Sequence, residues 1–548
     1  MATTAAARPS SETNIIDTLQ SLTVAFALAM TVRSFVTEGF VIPTGSMAPT
    51  LLGTHSTYRS PETSFEYPFD FTYLHPRLEA SRAQRRAMPI GFGDPMVNPL
   101  VAVQGIDPWK FKEEMGDRVL VLKFLYLFRE PRRWEVIVFK NPTDPIGDTQ
   151  NYIKRLIGLP NERLLTIDGD IWTGPLTPAD GVSPGSEKDL ASFRIQRKPE
   201  HVQRAVWQLV HNSDYVPVDP DGLSRRMGRA YEGPPWTSPD WDTSGPDYRR
   251  VSSEPSQLDW KSTLMPIDDR SNYNWVRQGQ VRPYSVSDIR VAAALEAERP
   301  ADLSTELVLE ARSHTLSWKV AGGKVRLSIT NRASGAEVGS SETSVAMPGP
   351  GEPCEVEFWH VDQSMSFWLN GIQVANLMYD TWTVTDRIQF AFPDVTLENY
   401  KSDPVSRQPE APLFSWKFEG SPLELHHVRV YRDLYYRPMF ATPNEQCPTN
   451  GSPVVGLAFG SNLDAPATLK ADEFLMMGDN SALSRDGRVW GRPHPLVVDQ
   501  LGVESPFVVP RELLLGPGWS VYFPAPLTHD AKPDLSVVPN TGRLRFIR

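Results

Sequence analysis

The chain has 548 residues, 40% hydrophobic and 22% charged, with a formal net charge of -11. That length exceeds one ordinary domain and predicts roughly two to four, while the acidic balance excludes a chain organised around a basic nucleic-acid-binding face. Two cysteines, Cys354 and Cys447, exclude a disulfide framework and a zinc site built on several thiolates, leaving one bridge or two free buried thiols.

Fifty prolines and fifteen tryptophans, with many short β-branched runs, predict a β-rich, loop-rich protein and exclude a helical bundle. No HExxH pair, P-loop or dinucleotide glycine fingerprint occurs, so no metal and no cofactor is expected. A short polar tail, residues 1–17, leads into "TLQSLTVAFALAMTV", residues 18 to 32, which carries no charge. Extended past Arg33 to residue 38, it reaches the roughly 20 residues that cross a bilayer as a helix, with Arg33 near the end, where it can snorkel to the headgroups. A cleaved secretory signal and an amphipathic surface helix compete with that reading. With Arg8 set against Glu12 and Asp17, the positive-inside rule leaves the orientation open.

Directly after comes "VIPTGSMAPTLLG", residues 41 to 53. Pro43 and Gly45 punctuate it, so Ser46 is either part of an ordinary turn or an exposed nucleophile. Further on, "RLEASRAQRRA" predicts a short helix in an otherwise loop-like stretch. "GDRVLVLKFLY", residues 116 to 126, predicts a strand buried on both faces. Next, "RRWEVIVFKNP" and "NYIKRLIGLPNERLLTIDGDIW" predict an apolar strand, a turn, a strand holding Lys154, and a closing hairpin. Among Ile153, Leu156 and Ile157, desolvation disfavours the charged amine, and a lysine neutral near pH 7 can act as a general base. The plainer alternative is an edge-strand lysine that guards against aggregation. "FLMMGDNSALSRDGRVWG", residues 474 to 491, ends a strand in a loop holding Asp479, Asn480, Ser481, Ser484, Asp486 and Arg488. Such a loop is either a solvated turn or a scaffold that fixes a charged group.

In this order, the segments resemble the type I signal peptidases, membrane-anchored Ser/Lys proteases, and "VPRELLLG...SVYFP" is similar to the family's closing strand. The resemblance implies a mainly β fold: a transmembrane helix, an antiparallel β catalytic core, and here an inserted β-sandwich. Residue by residue, it makes Ser46 the nucleophile and Lys154 the general base. The Ser46 N–H and the Thr44 hydroxyl become oxyanion donors. Ser484 would orient the lysine amine, with Ser481 as its rival, and Asp479 and Asp486 would pair with Arg155 and Arg488. A shallow groove of Ile42, Pro43, Met47, Leu52, Tyr152 and Ile153 would read small residues before the scissile bond, with Leu52 and Ile153 partly core. Thr44 stands where many relatives have serine, and Gly487 replaces a frequent serine.

The implied organisation is a cytoplasmic tail (1–17), an anchor (18–38), catalytic parts at 39–53, 116–174 and 440–526, insertions at 54–115 and 175–439, and a C-terminal tail (527–548). The implied partners are preprotein signal peptides, the lipid bilayer and the secretion machinery, with no nucleic acid. The implied place is the cell membrane, catalytic bulk outside. Within residues 175–439, residues 200 to 275 read as irregular loop. "TLSWKVAGGKVRLSITN" and "EVEFWHVDQSMSFWLNGIQVANL" alternate as strands, with Asn370-Gly371 a hairpin signal. They predict an antiparallel sandwich similar to concanavalin-like or laminin-G jelly rolls. Trp359 and Trp368 are then either core or a sugar-stacking platform. The latter supports a rival function, a membrane-anchored binding or scaffolding protein.

Overall fold

The computed structural model describes residues 13–72, 90–97, 103–106, 113–144, 150–275, 282–441, 456–524 and 541–547. The stretch read as a short helix at "RLEASRAQRRA" and Cys447 lie outside them, and Cys354 is a buried free thiol. The architecture is mainly β, with an apolar helix at the start and antiparallel sheets throughout.

The helix runs Thr13–Thr31 and continues as a π-helical turn, Val32–Val36. Its apolar stretch, Ile15–Val36, has mean hydropathy 1.6, is long enough to cross a membrane, and is wholly unburied. Its threonines do not expose idle hydroxyls: Thr23 and Thr31 donate to the carbonyls of Leu19 and Ala27, each at 2.8 Å. The chain turns to strand at Thr37, earlier than residue 38, the end read from hydropathy alone.

That strand, Thr37–Val41, opens a sheet whose order continues through Arg118–Leu122, Leu514–Phe523, Val136–Lys140, Asn151–Gly158, Glu473–Met477 and Val509–Pro510. Apolar runs explain its middle. Val136 and Val138 face a cluster with Ile42, Met47, Val119 and Val121, while Ile137 and Phe139 face Leu156, Phe474, Met476 and Trp490. Covered on both sides, such a strand has no polar alternation to keep. Strand Arg118–Leu122 differs from its expectation: Val119 and Val121 are buried, but Leu120 and Leu122 are only half-buried, so one of its faces is incompletely covered.

A second sheet carries Arg194–Ile195, Asp170–Pro175, Glu162–Ile167 and Ala467–Leu469 in that order. Residues 176 to 466 therefore leave and rejoin one small sheet on either side of the same strand. Within them lie two seven-stranded sheets, whose inward residues form one core including Trp318, Trp416, Phe358 and Phe367. The alternation along Ser304–Ala311, half-buried then buried at each step, is the sequence pattern realised. Asn370 and Gly371 turn the hairpin between Ser364–Leu369 and Ile372–Met378 with φ of 49° and 76°, the left-handed pair a two-residue connection requires. Residues 200 to 275 hold more order than expected, with helices Glu200–Val206 and Pro220–Met227.

Trp359 and Trp368 are 3% and 5% exposed. Their rings lie 4.8 Å apart, the Arg204 guanidinium sits over both, and their indole N–H groups donate to Glu357 and Ser366. Of the two readings of these residues the structure has the core one: both rings are buried, covered by the half-buried Arg204, and their N–H groups are already bonded. The first insertion also gains structure, a hairpin of His55–Arg59 with Glu66–Asp70. Its aromatic cluster of Tyr58, Phe65, Tyr67, Phe69 and Phe92 packs on Trp275.

A buried ionic seam joins the sandwich to the small sheet. Three tight turns reach into it, at Asp168-Gly169, Arg312-Ser313 and Asp362-Gln363, all with positive φ. Arg387 bridges Asp168 and Asp170, at 2.9 and 2.5 Å. Arg312 bridges Asp168 and Asp288, at 2.8 and 2.5 Å. Lys198 bridges Asp362 and Asp433, at 2.6 and 2.9 Å. Removing one member of such a buried network strands its partners' charges. Arg387→Met is expected to lower stability by about 3–5 kcal/mol, read as a shift of the urea midpoint of the full chain. A loss under about 1 kcal/mol would show that the seam is not what holds these parts together.

Candidate active site

Ser46 sits in a 3-10 turn, Gly45–Met47, entered from an extended Thr44. Proline at 43 and glycine at 45 break the strand here, and the Ala48 N–H closes the turn on the Gly45 carbonyl at 3.0 Å. The result is a half-buried hydroxyl at the wall of a cavity of about 650 Å³. From strand Asn151–Gly158, Lys154 brings its amine to 2.6 Å from Ser46 Oγ. The amine also donates to the Ile153 carbonyl at 3.1 Å.

Lys154 is 4% exposed. Burial lowers its pKa from 10.5 to about 8, against the opposing pull of Asp486 and Asp479. Neither carboxylate is bonded to the amine. Asp479 receives Arg155 Nε and Nη2 at 2.8 and 2.6 Å, with Thr50 Oγ1 at 2.6 Å. Asp486 receives Arg488 Nε and Nη2 at 2.8 and 2.7 Å, with the Gly478 N–H at 2.9 Å. Burial alone would raise the Asp486 carboxyl, but Arg488 and these donors hold it below the ordinary range.

Gly478 permits the closeness of the two loops. A Cβ there would stand 2.4 Å from the Ser46 carbonyl oxygen and 2.2 Å from Ser484 Oγ. Backbone therefore meets backbone, and Asn480 N–H donates to the Ser46 carbonyl at 3.1 Å while Asn480 Nδ2 donates to the Gly45 carbonyl at 2.9 Å.

The structure thus brings Ser46, Lys154, Asp479, Asp486, Arg155 and Arg488 together. It does not give the amine a bond from Ser484: that buried hydroxyl lies beside the Asp486 carboxylate, and the Lys154 contacts go to Ser46 and Ile153. The rival Ser481 is also engaged elsewhere, accepting from Arg437 N–H and Arg488 Nη1, each at 2.9 Å. Thr44 lines the cavity with an exposed side chain that does not cap the turn. Ile42, Pro43, Tyr152 and Ile153 line the same cavity. Met47 and Leu52 do not, and their place in the groove is corrected. Met47, next to Ser46 in the turn, is buried in the sheet core, and Leu52, beyond the turn, packs with Ala48 and Tyr273. Asp70, from the first insertion, and Arg485 line the cavity unforeseen. No local pattern marks either residue, since both arrive there by tertiary placement.

Residues 111–173 match the family described as signal peptidase, peptidase S26. A signal peptidase I from Rickettsia typhi is 25% identical over 152 residues, 28% of this chain and 40% of that protein. One from Leptolyngbya laminosa is 23% identical, covering 30% of this chain and 54% of that protein. A probable signal peptidase I-2 from Synechocystis is 36% identical over 62 residues, 11% of this chain and 28% of that one. The chain spans about two-fifths to half the length of the two longer-matched relatives. Among solved structures, a carbohydrate binding module CBM66 from Bacillus subtilis is 9% identical, with a TM-score of 0.21 over 36% of this chain and 97% of that one. A likeness that slight carries nothing about function.

The buried amine has a cost. Its folded pKa of about 8 lies below the unfolded 10.5, so the folded chain binds fewer protons between those values. The stability penalty is complete below pH ~8 and is relieved as pH rises towards ~10.5. Lys154→Met is expected to stabilise the fold by about 1–3 kcal/mol at pH 7 and to flatten that pH dependence, measured by denaturant titration at pH 7 and 10.

Proposed function

Because this chain belongs to the type I signal peptidase family, we propose that it is a membrane-anchored serine endopeptidase that removes signal peptides from exported preproteins. The observation that carries this is the 2.6 Å contact between a half-buried serine hydroxyl and a buried amine of lowered pKa. An uncharged Lys154 accepts the Ser46 proton as Oγ attacks the scissile carbonyl. The Ser46 N–H and the Thr44 hydroxyl receive the developing oxyanion. On collapse the C–N bond breaks, the lysine returns its proton to the leaving amine, and an acyl-Ser46 ester remains. The same amine then deprotonates a water, whose attack releases the ester and restores the serine.

The arginine pairs support this role. They hold Asp479 and Asp486 near enough to shape the site, yet each carboxylate is already clamped and does not form a salt bridge that would keep Lys154 protonated. Ile42, Pro43, Tyr152 and Ile153 give the cavity an apolar wall suited to small side chains on an extended substrate backbone. The unburied helix Ile15–Val36 anchors the site at a bilayer, with the first residues cytoplasmic and the catalytic bulk on the outer side of the cell membrane, where the secretion machinery delivers the substrate.

Ser46→Ala and Lys154→Arg are each expected to lower preprotein cleavage by at least about 10³-fold, since a guanidinium does not deprotonate to serve as a base. In the wild type, the cleavage rate should climb through pH about 8 and level above it. A flat profile from pH 6 to 10, or cleavage retained by Ser46→Ala, would refute the assignment. Protease added to intact spheroplasts should digest the large domain.

A further inference from the structure

The insertion between the two halves of the small sheet does more than decorate the core, because one of its segments reaches the back of the turn that holds Ser46. Tyr273, 2% exposed, packs there so tightly that a Cβ on Gly45 would lie 2.0 Å from its ring. Its hydroxyl donates to the Thr54 carbonyl at 3.1 Å. Beside it, Asn274 forms a reciprocal amide pair with Asn480. Asn274 Nδ2 donates to Asn480 Oδ1 at 2.7 Å, and Asn480 Nδ2 donates to Asn274 Oδ1 at 2.9 Å. Both side chains are buried, at 7% and 5% exposure.

The chemistry of the amide fixes what this pair does. Asn480 Nδ2 has two hydrogens: one goes to Asn274, the other to the Gly45 carbonyl. Gly45 C=O and Ser46 N–H belong to one trans peptide unit, so they point in opposite directions. Holding the carbonyl from behind turns the N–H forward, and Asn480 N–H pins the next carbonyl, that of Ser46, as well. Without Asn274, the Asn480 amide would keep a buried oxygen and one N–H unsatisfied. Its bond to the Gly45 carbonyl would then be the one side-chain contact left of the three that now fix the amide.

Resting on the reading of Ser46 as nucleophile, we propose that Asn274, a residue of the insertion, is a positioning residue for the oxyanion site: it locks the Asn480 amide and through it aims the Ser46 N–H. The insertion is thereby part of the catalytic machine's frame. Its contribution appears in the transition state and leaves substrate binding alone, since no part of Asn274 lines the cavity.

The test uses the full chain in phospholipid vesicles and a preprotein with small residues at the first and third positions before the cut. Asn274→Ala should lower kcat about 10- to 100-fold, with KM within twofold, and leave the rise of rate near pH 8 in place, because Lys154 keeps its surroundings. The double variant Asn274→Ala/Asn480→Ala should be no slower than Asn480→Ala alone, as expected when one residue acts only through the other. An Asn274→Ala kcat within twofold of wild type, a loss in KM alone, or losses that multiply in the double variant would overturn the proposal. If Asn274→Ala does not fold, Asn274→Ser keeps a polar group in the buried site and is held to the same criteria. Ser46→Ala, assayed in parallel, separates the two levels. If it is inactive while Asn274→Ala is fully active, the positioning role alone fails; if it still cleaves, the nucleophile reading fails and takes this inference with it.

Discussion

A lysine amine buried against a serine hydroxyl, with no carboxylate bonded to it, is the constraint around which the rest is arranged. Burying a charged ammonium without a partner is unfavourable enough that the amine gives up its proton more readily. The chain contains its own comparison. The Lys198 side chain is buried too, yet it bridges Asp362 and Asp433, and those carboxylates carry its pKa well above the ordinary value despite burial. The two lysines differ in one respect: whether the neighbouring acids are free to reach the amine. Around Lys154, Arg155 and Arg488 have claimed both acids in bidentate pairs. The arginines therefore act on the reactivity of a residue to which they are not bonded.

Keeping that arrangement needs rigid neighbours, and the fold supplies them from separated parts of the chain. Lys154 lies on a strand between Val136–Lys140 and Glu473–Met477. The Asp479 loop follows directly from the latter strand, so one sheet sets both the lysine and its insulating acids. Ser46 comes from a turn outside the sheet and is tied in by Asn480 and by the close approach that Gly478 allows. The large insertion fits without disturbing this order because it departs from Asp170–Pro175 and returns at Ala467–Leu469, two neighbours of the same strand. Chain ends that lie close together are what a host needs to accept a domain.

Much of this was legible in the sequence, for identifiable reasons. A serine after a Pro and Gly break, a lysine inside an apolar strand, and acids spaced with arginines in one loop are local signals. That Asp479 and Asp486 pair with Arg155 and Arg488 comes from the family resemblance, and which acid meets which arginine from the structure, since Asp479 and Arg155 lie far apart in the chain. Alternation likewise marked the sandwich strands and Asn370-Gly371 their hairpin. The misses share a different cause. Met47 and Leu52 look like groove residues when apolar character alone is counted, but Met47 packs into the sheet core and Leu52 against Ala48 and Tyr273. Ser484 is near the acids in sequence and stays with them in space. For Trp359 and Trp368 the sequence left core and platform both open, and the choice needed Arg204, from a helix more than 150 positions earlier, which covers them. Asp70 and Asn274 reach the site only through packing of the insertions, and no window of sequence contains both them and their partners.

The same packing bears on what the insertions do for each other. The aromatic cluster of the first insertion closes over Trp275, the residue that follows Asn274. Tyr273, on the other side of Asn274, is wedged against Gly45 and packs with Leu52 and Ala48. The asparagine that pairs with Asn480 is thus held between two large aromatic anchors, one gripping the first insertion and one gripping the Ser46 turn. A small amide placed alone on a loop would have rotamer freedom to lose on each encounter with its partner. Set between two buried rings, it has already lost it, which is how two segments outside the sheet that carries Lys154 can impose a fixed geometry on the turn that carries Ser46.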